Sequence, residues 1–191
     1  MPKQIDSFIL PDNIISNMKD RIKETKKLKT ELGFALCIDP KKESSVIIKG
    51  SECTGTRCSI KTGMCKENQT HIGDYHTHPR TAATMSITDI VTGCSENIEC
   101  VGSARFNNIV CFLRKTDKSQ CLKDSSPYET EEHTLLEKDA EIRKILSSPK
   151  SIMKTGIYNT LKELHQYDNR IFKYHTNRIK ILNKNFDRIN I

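Results

Sequence analysis

At 191 residues, with 36% hydrophobic and 29% charged side chains, the chain can form one compact domain with an appendage and bury a substantial core. Eight glycines and six prolines exclude collagen-like and low-complexity architecture. The net charge of +7 favours acidic partners but is too mild to imply nucleic acid.

Residues 1–10 lack the charged flank and apolar core of a secretory signal, and no apolar run reaches the ~20 residues of a bilayer span, so a cytoplasmic setting without membrane contact is expected. Residues 11–29 predict a helix with Pro11 at its first position. Ile14, Met18 and Ile22 recur every four residues with Ile15 beside them, which gives one narrow apolar face; Lys19, Arg21, Lys23, Lys26, Lys27 and Lys29 form its solvated back. Gly33 to Ile38 predicts a buried strand ended by Asp39 and Pro40. Ser45 to Ile48 predicts a second strand, residues 50–69 a polar loop with three cysteines, and Ile72 to Tyr75 a third strand running into His76. Pro79 to Met85 reads as irregular, and Ser86 as the N-cap of a helix ending near Cys94. Glu99 to Ser103 and Ile109 to Leu113 predict two strands joined by a tight turn at Asn107 and Asn108. This alternation implies an α/β (α+β) core ending near residue 122.

The domain boundary is therefore placed at residues 1–124, with 125–191 as a helical C-terminal extension. Ser126, Pro127 and Glu129 have the order of a capping box, and Leu135, Leu136, Ile142, Ile145 and Leu146 follow on an acidic segment that Ser148 and Pro149 break. Beyond it, Ile157, Leu161, Leu164, Ile171, His175, Ile179, Leu182, Phe186 and Ile189 keep heptad spacing on a basic background. Such a seam needs a partner. The acidic helix 129–146, the core domain, a second copy and another protein bound through residues 150–191 all remain open.

The most informative stretch is His76-Thr77-His78-Pro79 followed by Ser86-Ile87-Thr88-Asp89. Histidines at i and i+2 of a strand point to the same side, so both imidazoles reach one ion. Asp89, on the first turn of the next helix, supplies an oxygen. Two nitrogens and one oxygen leave the fourth position of tetrahedral Zn2+ open, the arrangement of a catalytic site, where water is acidified toward neutral pH.

The full spacing, His-x-His, seven residues, Ser, two residues, Asp, resembles the motif of the JAMM (MPN+, JAB) zinc metalloprotease family, including the proline after the second histidine. Glu31-Leu32-Gly33-Phe34-Ala35-Leu36 resembles the family's upstream Glu-x-x-Gly-x-Leu element with its glycine one place early, and Gly73-Asp74-Tyr75 resembles the lead-in to the histidines. The resemblance covers about residues 10–115. It implies a JAMM/MPN-like (cytidine-deaminase-like) fold with a central mixed sheet between helices. It also implies a metalloprotease acting as a deubiquitinase-like isopeptidase or peptidase on conjugates of ubiquitin or a ubiquitin-like protein, cut at the carrier's C-terminal glycine. By position, His76, His78 and Asp89 would hold zinc, Glu31 would act as general base and Ser86 would steady the oxyanion. Glu24, Glu43 and Glu52 also lie upstream, but only Glu31 directly precedes a buried strand. Ser86 reads equally as a plain cap. The alternative function is a scaffold or assembly module whose C-terminal helices bind a protein partner.

Reduced thiols are the default for the eight cysteines in a cytoplasmic chain. Cys37, Cys100 and Cys111 read as core residues, and Cys94 and Cys121 stay open between paired and free. Cys53, Cys58 and Cys65 share one polar loop and could be paired, free or bound to a second metal. His71, on the same strand as His76, could stand behind the metal ligands, but it reads more readily as a surface histidine. His165 and Asp168 read as a polar interruption of the seam.

Overall fold

The structure is a computed structural model that describes residues 2–42, 45–55, 65–129, 134–135, 138 and 157–191. The predicted acidic helix at 129–146 and the first part of the 150–191 segment fall largely outside these residues, and Cys58 lies outside them altogether.

A short antiparallel ribbon, β1 (Lys3–Ile5) and β2 (Phe8–Leu10), leads into helix α1 (Asp12–Leu28). Ile14, Met18 and Ile22 are buried along α1 as their spacing predicts. Each such side chain stabilises the fold by about 1.5–3 kcal/mol when fully buried. Pro11 stands one place earlier than expected, as the N-cap, because its ψ of 153° is extended and not helical.

The main sheet has six strands: β3 (Glu31–Ile38), β4 (Ile48–Gly55), β5 (Thr70–His78), β6 (Ile98–Ser103), β7 (Asn108–Arg114) and β8 (Phe186–Asn190). Their spatial order is β4-β3-β5-β6-β7-β8, with β5 and β6 parallel and every other pair antiparallel. Between the parallel strands the chain crosses over through α2 (Ile87–Gly93). After β7 come α3 (Lys118–Ser125), a 3-10 turn at Ser126–Tyr128, and α4 (Ile157–Asn185), which returns the chain to the sheet. The class is α+β with a mixed sheet, as the sequence implies.

Two cores lie on opposite sides of this sheet. One packs Ile14, Met18 and Ile22 of α1 against Phe34, Leu36, Tyr75 and Ile109. The other packs Ile87 and Ile90 of α2, and Tyr174, Ile181 and Leu182 of α4, against Val101, Val110 and Phe112.

Four expectations need correction. The second strand starts at Ile48, not Ser45, and runs to Gly55; residues 45–47 hold to β2 instead, with Ile9 N 2.7 Å from Ser45 O and Ile47 N 2.9 Å from Ile9 O. Helix α3 was not anticipated, although Asp117 caps it by accepting from Gln120 N at 2.9 Å. The heptad seam does not continue through Phe186 and Ile189: the helix stops at Asn185, and Phe186–Asn190 pairs with β7. Finally, α4 turns Tyr174, Ile181, Leu182 and Asn185 inward, whereas Ile179 is exposed. A straight helix drifts off a strict 3.5-residue repeat, and here no supercoil corrects the drift.

The cysteines also depart from the reduced expectation. Disulfides join Cys37 to Cys65, Cys94 to Cys121, and Cys100 to Cys111. The last links directly opposed positions of β6 and β7. Cys37, Cys100 and Cys111 are buried as predicted, but as half-cystines.

Candidate metal centre

Strand β5 lies inside the sheet, between β3 and β6. Thr77, between the two histidines, faces the α1 side and fixes the strand there. Its hydroxyl donates to Leu32 O at 3.0 Å and accepts from Leu32 N at 2.9 Å. With that proton committed, Thr25 of α1 is the donor in the 2.6 Å hydroxyl pair it makes with Thr77. All of these groups are buried, so the bonds hold β3, β5 and α1 in one register.

Alternation then turns His76 and His78 to the other face, at the C-terminal end of β5. This is the end of the parallel pair where α2 begins. In open α/β sheets, that crevice is where ligands bind. Ser86 caps α2 as predicted: its Oγ accepts from Asp89 N at 3.1 Å, and Asp89 Oδ2 accepts from Ser86 N at 2.8 Å. The reciprocal bonds form a capping box, which orients the Asp89 carboxylate.

The three predicted ligands converge. His76 Nε2 and His78 Nε2 are 3.0 Å apart, and each is 3.7 Å from Asp89 Oδ2. Ligand atoms bonded at ~2.0–2.2 Å to a tetrahedral zinc sit roughly 3.3–3.6 Å from one another; the three separations here straddle that range, so small side-chain shifts would bring the donor set onto the ion. The other ring nitrogens are already engaged. His78 Nδ1 lies 3.2 Å from Ala82 O, which only accepts, so Nδ1 carries the proton. His76 Nδ1 lies 2.8 Å from Glu99 Oε1. With both Nδ1 atoms engaged, the two Nε2 atoms face each other across the proton that the neighbouring carboxylates hold on His76, and a bound cation would take the place of that proton.

Electrostatics follow from burial. Burial opposes charge on His76, but Asp89 and Glu99 outweigh it and hold the imidazole well above its ordinary value. His78 is pushed down by burial and by the neighbouring charge of His76. Burial alone would raise Asp89, yet His76, His78 and the Ser86 N–H hold its carboxyl well below the usual carboxylate range. Glu99 is pushed up to about 8 by burial, against the pull of His76.

Glu31 opens β3 and is half-buried. Antiparallel pairing sets Gly33 opposite His76. Continued two places, that register sets Glu31 across from His78, on the face of both histidines. Glycine is needed at 33, because a Cβ there would stand 2.2 Å from Tyr75 O.

Sequence reading missed Glu99. The signal was a lone acid between Ile98 and Cys100 in an apolar strand, since a charged side chain in a buried run needs a partner. It also misplaced His71, which is only one-fifth exposed and lies 2.9 Å from Asp74 Oδ1. His165 sits exposed on α4 against Asn169, outside the metal group.

No family model matches the chain, and a search of curated proteins gives no match either. The described residues therefore establish an α+β protein with a mixed six-stranded sheet, and a His76–His78–Asp89 group able to hold a metal ion.

Proposed function

We propose that the chain is a zinc-dependent peptidase or isopeptidase with a JAMM/MPN-type, cytidine-deaminase-like fold. The observation that carries this reading is the opposed pair of Nε2 atoms, 3.0 Å apart and each 3.7 Å from Asp89 Oδ2, with both Nδ1 atoms already bonded. The order and spacing of His76, His78, Ser86 and Asp89 add support, as does their place at the mouth of the parallel strand pair. When bound, zinc supplies a Lewis acid that brings the acidity of water toward neutral pH.

The chain's own residues divide the remaining work. Glu99 holds His76 in the tautomer that presents Nε2, and Ala82 O does the same for His78. Glu31 accepts a proton from the attacking water and returns it to the leaving amine. Ser86 donates its hydroxyl proton to the carbonyl oxygen as charge builds there, while its lone pair keeps the cap. By the resemblance, the substrates are conjugates of ubiquitin or a ubiquitin-like protein.

The test is the zinc content of the purified full chain, with cleavage of an isopeptide-linked ubiquitin-like conjugate followed alongside. We expect His78→Ala to lose one zinc per chain and cleavage together, and Glu31→Gln to lose cleavage while keeping that zinc. Zinc binding that ignores His78→Ala would overturn the proposal.

A second reading, an assembly module, draws on α4. Phe172 is 75% exposed and Ile179 is 52% exposed, seven residues apart on one stripe. A chain that binds zinc and cleaves no conjugate would favour it.

A further inference from the structure

We propose that His71, Asp74 and Glu96 form a second divalent-cation site, which takes one imidazole nitrogen and carboxylate oxygens. His71 Nε2 lies 2.9 Å from Asp74 Oδ1, His71 Nδ1 lies 3.8 Å from Glu96 Oε1, and one ligand atom from each of the three falls within 4.8 Å of the others.

The backbone is built to bring these groups together. In a regular strand, positions 71 and 74 would point to opposite faces. Here β3 pairs Leu36 with Gly73 but Cys37 with His71, so Ile72 is an extra residue in a β-bulge. The bulge swings His71 onto the face of Asp74, which is how bulges re-aim a side chain. Gly73 permits it, because a Cβ there would stand 1.6 Å from Ile98 O. The backbone at Glu96 and Asn97 is held by three bonds: Asn97 N donates to Ile72 O at 2.9 Å, Arg114 N to Asn97 O at 3.0 Å, and Arg114 Nε to Glu96 O at 2.7 Å.

A second observation points to a ligand. Glu99 is the register partner of Asp74 on β6, and its side chain is 4% exposed. Its Oε1 is bonded to His76, yet its Oε2 is buried with no hydrogen-bond partner; Glu96 Oε2 is buried in the same condition. Asp74 and Glu96 thus both face the His71 imidazole, and Glu99 stands beside Asp74 on the next strand. A divalent cation there would replace the proton that burial otherwise leaves on Glu96. Burial, then Glu99 and Asp74, push the Glu96 carboxyl up to about 9, the response of a buried acid without its countercharge. One nitrogen with carboxylate oxygens and no thiolate suits Zn2+ or Mn2+. The one-fifth of the His71 side chain that is exposed gives an ion its entry.

The test strips the full chain of metal, dialyses it against Zn2+ or, separately, Mn2+, and counts ions per chain. We expect two in the wild type, one in Glu96→Gln, one in His78→Ala and none in the double variant. A single ion in the wild type, kept by Glu96→Gln, overturns the second site and leaves His71 as a protonated imidazole between carboxylates. A second ion that Glu96→Gln does not remove also overturns it. Loss of one ion in Glu96→Gln with none lost in His78→Ala keeps this site and removes the first. The wild-type count needs no variant, and His71→Gln replaces Glu96→Gln if circular dichroism shows the latter misfolded.

Discussion

Glu99 reaches His76 diagonally across the parallel pair of strands: its register partner on β5 is Asp74, yet its Oε1 lies 2.8 Å from His76 Nδ1. Carboxylates placed behind a ligating histidine fix its tautomer and raise its basicity, and losing one typically costs 10–100-fold in metal affinity. Glu99→Gln keeps the shape and removes the charge. We expect zinc affinity to fall by about 10-fold, toward the lower end of that range, when measured by competition with a chelator. An unchanged affinity would show that the glutamate serves the strand and not the metal.

Ser86 has two separable duties. Replacing an N-cap serine by alanine costs about 1 kcal/mol, so Ser86→Ala should lower the unfolding free energy by that amount. If the hydroxyl also steadies a developing oxyanion, kcat should fall by about 10²–10³ with the zinc content intact. A lower melting temperature with kcat preserved would reduce the residue to a cap.

The metal-free protein should lose stability as pH rises above neutrality. Glu96 and Glu99 have folded values of about 9 and about 8, above the ordinary 4.5, so the native state holds protons that the unfolded chain has released. His76, raised above 6.5, acts in the same direction. His78 is lowered and acts the other way, but only below about 6.5. Between about pH 7 and 9 the contributions agree, and the melting temperature of stripped protein should fall. Saturating zinc should recover much of the loss, and Glu96→Gln should flatten the slope. A melting temperature constant across that window would contradict the assigned shifts.

The disulfides predict a redox-dependent stability. Cys37–Cys65 and Cys94–Cys121 close loops with sequence separations of 28 and 27 residues. Each cross-link should contribute about 3 kcal/mol through the unfolded chain. Equilibrium denaturation with and without reductant measures this, with alkylation of the unfolded chain as the count of paired thiols. Identical midpoints would mean that these cysteines are thiols in solution.

What was legible in the sequence was local. His76 and His78 follow from strand alternation, Ser86 and Asp89 from capping chemistry, and the α1 face from a four-residue recurrence. The groups that were missed depend on who neighbours whom. Glu99 becomes a partner of His76 only once β5 and β6 pair in parallel, and His71 joins Asp74 only through the bulge at Ile72. Strand β4 escaped because it is an edge strand with polar residues at 49–52 and little apolar alternation to mark it. Strand β8 escaped because Phe186 and Ile189 stand three apart, a helical interval, while the strand that recruits them is distant in the chain. Pairing of the cysteines, likewise, is a property of the folded sheet and not of their spacing.

Arg114 and Phe186 are Cα partners where β7 meets β8, and Lys115 N donates to Asn185 O at 2.9 Å. The chain leaves the sheet and comes back to the point of departure. Everything from 115 to 185 is an excursion with its two ends fastened together. Closing such a loop costs entropy that grows only logarithmically, about 0.6 kcal/mol for each doubling of length. Insertions into the excursion that spare Cys121, Tyr174, Ile181 and Leu182, which pack against the sheet, should therefore leave the pairing of the strands that carry the histidines unshifted.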